Sequence, residues 1–262
     1  MHMMKGAALQ TRVRFATLWA LQHLAVSAAV ACLAALVVFG WWYATPWRQL
    51  LGVGSIFGLI VAVDVVAGPL LTAVLASPHK PRRERWIDLT LIASIQVAAL
   101  VYGMWSVYSA RPVILAFEVD RLVVITANEV QVEQLPEALP QFQALSLAGP
   151  QFVSLRKARS SDEFLQSIEQ SIQGTTQPMR PGWWRPYEEA VPAVLKRAGS
   201  LQSLIERRPA DRGEIEIAAN RSGYSIADLR YLPLTSSKAD GWVALISEVG
   251  SVVGYANVDG FE

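Results

Sequence analysis

Read as a pattern of apolar and polar positions, the chain changes character near Arg111. Before it, three apolar runs clear the roughly 18 residues that a membrane-crossing helix needs. They cover about 15–43, about 50–76 and about 86–108. After it the runs are short and of mixed period. Val113–Val119 and Leu122–Thr126 are β-branched and strand-like, broken at Asp120-Arg121. Another short strand is expected within Phe142–Ala158. "SSDEFLQSIEQSI" has a Ser N-cap signal and helical spacing at Phe164, Leu165, Ile168 and Ile172. "GTTQPMRPGWWRPY" reads as a loop, and helices fit "YEEAVPAVLKRA", "SLQSLIERR" and "DRGEIEIAANR". The end, "YLPLTS", "GWVALIS" and "VVGYANVD", reads as a β-meander with turns between its strands. The expected architecture is a membrane protein: a membrane domain over residues 1–110 with three N-terminal transmembrane α-helices, then a soluble α+β domain over 111–262 that closes on the meander.

Composition agrees. With 52% hydrophobic and 17% charged residues, the chain is too apolar for an ordinary soluble protein of its length. Charge divides at the same place: nine Lys/Arg oppose three Asp/Glu up to Arg111, and fourteen oppose nineteen beyond it. A basic membrane half thus joins a mildly acidic soluble half, and neither resembles the basic face of a nucleic-acid binder. The single cysteine, Cys32, excludes a disulfide within one chain.

The first apolar run is longer than a signal-peptide core and ends in "GWWYATPW", an aromatic belt, so it reads as a retained anchor. The loop between the second and third runs holds Lys80, Arg82, Arg83 and Arg85, whereas the loop between the first two holds only Arg48. Positive-inside bias places the N-terminus and the basic loop in the cytoplasm, and the soluble domain on the other face, the periplasm of a bacterium.

The second run is interrupted by Asp64 and by Gly68-Pro69. A carboxylate inside a bilayer costs a few kcal/mol unless it is matched. Counted at about 1.5 Å per residue from the cytoplasmic ends, Asp64 lies roughly 18 Å deep, Gln96 of the third run roughly 15 Å and His23 of the first roughly 12 Å. Gln96 is the expected partner of Asp64, and His23 the runner-up. Pro69 is expected to kink the helix and free a carbonyl. Gly54, Gly58 and Ala62, at four-residue spacing, offer a small-residue face on another side of the same helix. Asp64 therefore either fixes the packing of three helices or docks a further transmembrane helix; a proton relay has less support, because one carboxylate does not make a pathway.

Catalytic chemistry is scarce. All three histidines lie at or before position 79, and the soluble domain has neither His nor Cys. Zinc sites of the usual kind, Ser-His triads and thiolate chemistry are therefore unavailable there, and phosphate-binding and dinucleotide fingerprints are missing. No catalytic, cofactor or metal residue is assigned. The Trp183-Trp184 pair either fills the domain core or forms a contact surface for a partner or the bilayer interface.

Three stretches, "VDVVAGPLLT", "DLTLIASIQVAALVYGMWSVYSARP" and "FEVDRLVVITANEV", together with the closing "LPLTSSKADGWVALISEVGSVVGY", resemble the type IV pilin accessory proteins (the TfpX/TfpZ family). The resemblance covers nearly the whole chain. It implies a bacterial inner-membrane protein that assists assembly of a cognate type IV pilin, without catalytic residues or cofactor. Asp64, Gly68, Pro69, Arg111, Pro112, Asp120 and Arg121 match as motif residues without assigned roles. The closing segment has "SSKADG" where the family pattern is more basic. The alternative is a membrane-anchored enzyme acting on pilin or envelope glycans. Expected partners are the pilin and the lipid bilayer, with no nucleic acid and no oligomeric state implied.

Overall fold

A computed structural model describes residues 2–78 and 80–261, with side chains from Gln10 onward. The chain divides into two compact units, Met1–Trp41 with Val53–Tyr108, and Trp42–Gly52 with Ser109–Glu262.

The first unit is helical. α1 (His2–Val37) runs into a π turn at Val38–Trp42. The second unit borrows α2 (Trp47–Leu50) from the connection that follows. α3 (Val53–Ala62), a π turn at Val63–Ala67 and α4 (Gly68–Leu75) form one uninterrupted rod, and α5 (Arg82–Ser109) is the third. Among the described residues, three stretches, Gln10–Trp42, Val53–Leu75 and Arg82–Ser109, are long and apolar enough to cross a membrane. α1 packs chiefly along α4. The Phe39 and Phe57 rings meet edge to face at 5.0 Å, and Ile60 of α3 seats on Gly103 of α5, where a Cβ would come within 2.7 Å. The kink expected at Gly68-Pro69 takes the form of the π turn just before it. The wider turn gives room to a proline ring that would otherwise clash with the carbonyl four residues earlier.

The second unit holds a mixed sheet. β1 (Pro112–Glu118) and β2 (Arg121–Thr126) form a hairpin; β3 (Gln151–Leu155) runs parallel to β1, and β4 (Trp184–Pro186) is antiparallel to β3. β6 (Arg230–Ser236), β7 (Trp242–Ile246) and β8 (Val252–Ala256) are the meander, joined to the rest because β6 pairs parallel with β2. The order is β4-β3-β1-β2-β6-β7-β8, and β5 (Gly199–Ser200) adds to β6. β1 and β7, buried almost throughout, read as continuous apolar runs rather than alternations.

Besides α2, four helices among the described residues complete this unit: α6 (Ser161–Ile172), α7 (Val191–Arg197), α8 (Leu201–Arg207) and α9 (Arg212–Ser222). α6 starts where Ser160 accepts from the Glu163 N–H at 3.1 Å, and α9 stops at Gly223, whose φ of 78° suits a residue without Cβ. α8 and α9 bury Leu204, Ile205 and Ile215 against Tyr231, Val243 and Leu245 of the meander. A second cluster joins Val113, Ile114 and Val153 to Phe142 and Trp184.

Residues 42–52, which take in most of the GWWYATPW belt and the start of the second apolar run, group with the second unit. Tyr43, Trp47 and Leu50 are buried, and Trp47 meets the Tyr255 ring edge to face at 5.1 Å. Burial raises the hydroxyls of Tyr43 and Tyr255 well above the ordinary tyrosine range. The sequence pattern hides this because an aromatic connection suits a bilayer interface and a protein core equally well. Replacing Trp47 by Ala removes a large buried side chain from that core. Chemical unfolding of the full chain in detergent should show the soluble unit destabilised by about 3 kcal/mol; an unchanged midpoint would mean that the connection is not part of that core.

Candidate functional site

The helical unit carries a small polar niche. Asp64 sits in the π turn and is 7% exposed. It lines a cavity of about 150 Å³ with His23, Ser27 and Gln96, among apolar side chains. Gln96 does reach Asp64, but its Nε2 donates to the backbone carbonyl at 2.9 Å rather than to the carboxylate. The reason is local. In the π register a carbonyl takes its donor from five residues on; five beyond Asp64 is Pro69, which has no N–H. The freed carbonyl takes the amide of Gln96. Gly68 makes the approach possible, since a Cβ there would lie 2.1 Å from Gln96 Nε2.

His23, the alternative partner, is engaged elsewhere: its Nδ1 lies 2.6 Å from Thr72 Oγ1. Thr72 is eight residues beyond Asp64, about 12 Å along the rod, so His23 serves a lower turn. The carboxylate is thus bound by neither expected partner, and its Oδ1 has no hydrogen-bond partner among the described residues. Gly54 and Gly58 face open space, with nothing within 4 Å of a Cβ at either; the close helix contact is made instead by Gly103.

In the soluble unit the Trp pair is buried, Trp183 at 5% and Trp184 at 0% exposure, which corrects the contact-surface reading. Trp184 belongs to the core and its Nε1 donates to Pro178 O at 2.8 Å. Trp183 lies beneath two guanidinium groups, Arg156 at 4.3 Å and Arg180 at 4.7 Å from the ring centre. Arg156 is paired with Glu163 at 2.6 Å, and this bond, with the Arg159 backbone N–H, holds the Glu163 carboxyl down to about 2.

What the unit does expose is α6. Phe164, Leu165, Ile168 and Ile172 share one stripe and are all exposed, Ile172 at 82%. The polar side of the helix faces inward: Ser167 is buried and takes a bond from Gln177, while Gln170 accepts from Arg180. A groove of about 1170 Å³ brings Phe164 and Leu165 together with Val119 at the tip of the first hairpin. Val119 is 71% exposed and has φ 58°, a conformation unfavourable for a β-branched residue. Spacing revealed the stripe but not its direction, because helical amphipathicity alone does not say which side meets the core. Among the described residues, no group of three or more His, Cys, Asp and Glu could hold a metal ion.

Comparison with known proteins decides the family. A family model described as "Fimbrial assembly protein FimB" matches residues 11–52. The fimbrial assembly protein of serogroup I from Dichelobacter nodosus is 31% identical over 241 residues, 92% of this chain and 94% of that protein. The serogroup E1 protein of the same organism is 30% identical over the same share of each chain. The chain belongs to the fimbrial assembly protein family. A third relative, from serogroups C1 and C2, is 40% identical over 116 residues, 44% of this chain and 88% of its own length. No solved structure matches the chain.

The motif residues singled out in the sequence have places in the structure. Asp64, Gly68 and Pro69 make the π turn and its bond to Gln96. Arg111 is buried and its Nε donates to Ser146 O at 3.1 Å; Pro112 opens β1, where a missing N–H is tolerated. Asp120 and Arg121 pair at 2.8 Å beside the hairpin turn, and Arg121 lies over the Phe261 ring at 4.7 Å.

The Gly68–Gln96 approach predicts a coupled pair. Glycine-to-alanine in a helix normally gains up to about 1 kcal/mol of helix propensity. Here the new methyl displaces Gln96 and leaves the Asp64 carbonyl bare, so Gly68→Ala should lower stability in detergent by about 1 kcal/mol. Combined with Gln96→Ala it should add little, and Gly58→Ala should be harmless. Additive losses in the double variant would refute the coupling.

Proposed function

We propose that this chain is an inner-membrane accessory factor that assists assembly of a cognate fimbrial subunit, of type IV pilin kind, by contact rather than by catalysis. The observation that carries this reading is the match over 92% of the chain to proteins named for fimbrial assembly. Two features support contact as the means. The Asp64 carboxylate faces a niche between helices with an oxygen left unmatched, as suits a group that receives a donor from another transmembrane helix. The soluble unit turns the apolar stripe of α6 outward beside the Val119 tip, as suits a face that a partner covers.

In this proposal the N-terminus and the Lys80–Arg85 loop are cytoplasmic and the soluble unit is periplasmic. The contact between Trp47 and Tyr255 fits three crossings, because it requires the first connection and the C-terminal unit on one side of the membrane, and the basic loop is what argues which side that is. Alkaline phosphatase fused to the C-terminus should be active and a fluorescent protein that matures only in the cytoplasm should be dark; the reverse would overturn the orientation.

Deleting the gene should lower surface fimbriae while the subunit is still made, and the full chain should restore them. A chain ending at Ala110 should insert without restoring them. Asp64→Asn keeps polarity but not charge, and should restore fimbriae better than Asp64→Leu. Full rescue by the truncated chain, or turnover of a glycan or peptide by the purified full chain, would overturn the reading.

A further inference from the structure

Arg180 is an anomaly in this fold. It is 4% exposed, and among the described residues only its Nη1 has a hydrogen-bonded partner, the Gln170 side chain. Its Nε and Nη2 are buried without partners among the described residues. Those two atoms form the side-on edge of a guanidinium, whose parallel N–H groups match the two oxygens of a carboxylate. Leaving them unmatched in the interior carries their desolvation cost without a hydrogen bond to offset it, and the cost is larger when the group is charged. Native proteins leave few such groups empty-handed.

The neighbouring arginine shows the contrast. Arg156 stacks on the same Trp183 ring, but its Nε donates to Gly182 O at 3.0 Å, and its two terminal nitrogens hold Glu163 at 2.9 and 2.6 Å. Glu163 is thereby committed. Arg180 lines a polar cavity of about 610 Å³ with Arg156, Arg159, Glu137, Glu163 and Trp183. Three cations against two carboxylates leave a charge near +1, which suits a monoanion better than a dianion. Burial, and then Arg156, push the Arg180 guanidinium below its ordinary range, so an incoming negative charge would relieve both. The Nε and Nη2 atoms themselves are covered in this structure, and the long side chains of the cavity wall, Gln134, Glu137, Gln166 and Gln170, of which Glu137 and Gln166 are exposed, have to rotate for a ligand to reach them.

We propose that this cavity is a carboxylate-binding site, with the Nε–Nη2 edge of Arg180 as its fork, Arg159 as a second cation at the mouth and Trp183 as the floor. The shared chemistry is a planar monoanion, presented by a small free carboxylate or by an acidic side chain or C-terminus of a polypeptide. The site is independent of the fimbrial reading and would stand if that reading failed.

The full chain in detergent is titrated with acetate in place of chloride at constant ionic strength, and its thermal midpoint is followed. A saturable rise is expected. Arg180→Lys keeps the charge and loses the fork, and should weaken the apparent affinity about tenfold. Should that variant not fold, two exposed positions carry the test. Arg159→Gln should weaken the affinity several-fold, and Glu137→Gln, which removes a competing carboxylate, should tighten it. A short peptide with a free C-terminus, its C-terminal amide and an acidic-side-chain peptide then separate the sources: whichever competes with acetate identifies the presenting group, and if none does the ligand is a small molecule. No saturable shift with acetate, an equal shift with sulfate, or titrations unchanged in Arg159→Gln and Glu137→Gln would overturn the proposal.

Discussion

A backbone carbonyl without a donor is among the most expensive things to place in hydrocarbon, because no water is there to replace the missing bond. Pro69 creates such a carbonyl at Asp64, and the helical unit is organised around supplying its donor. Gln96 brings α5 to the rod, Gly68 gives up its side chain so that the amide can pass, and the π turn sets the carbonyl that needs it. Lower on the rod a side-chain bond between His23 and Thr72 ties α1 to α4. Between lipid-like surfaces, where burial of apolar area gives no drive to associate, two such bonds and two close glycine contacts give the three helices a defined register.

The same accounting of polar groups separates structure from function in this chain. Bonds that are complete, such as Trp184 to Pro178, Tyr187 to Gly250 and Arg156 to Glu163, hold the fold. Burial pushes the Tyr187 hydroxyl, which donates to Gly250 O at 2.9 Å, up to about 12, so it stays a donor at neutral pH. Groups that are incomplete stand out against that background: the Asp64 carboxylate, the Arg180 fork and the outward stripe of α6. Each is a place where this fold alone does not finish the chemistry that its residues begin.

How far the sequence showed this depends on the kind of signal. The three apolar stretches, the strands of the first hairpin and the closing meander follow from run length and period, and they sit close to where the pattern puts them. Gln96 was legible as the neighbour of Asp64 from depth alone, but not the atom it bonds, since that turns on a five-residue register no side-chain pattern encodes. The join between β2 and β6, about 110 residues apart, makes one sheet of two hairpin systems and left no local trace. The direction of α6 was hidden for a similar reason: its polar side is satisfied by Arg180, Gln177 and Arg156, residues that lie outside the helix.

The connection at residues 42–52 has a consequence for how the molecule is made. Its Trp47 rests on Tyr255, about two hundred residues later in the chain. During synthesis this short aromatic segment emerges early, and Trp47 has no Tyr255 to meet until two further membrane-length helices and nearly the whole sheet are built. β8 is the last strand to arrive and the one that seats against it. Covering of the first connection therefore waits until nearly the entire chain has been produced. A chain stopped short of β8 leaves Trp47 without the ring it packs on, an apolar surface of the kind that makes unfinished chains prone to aggregate.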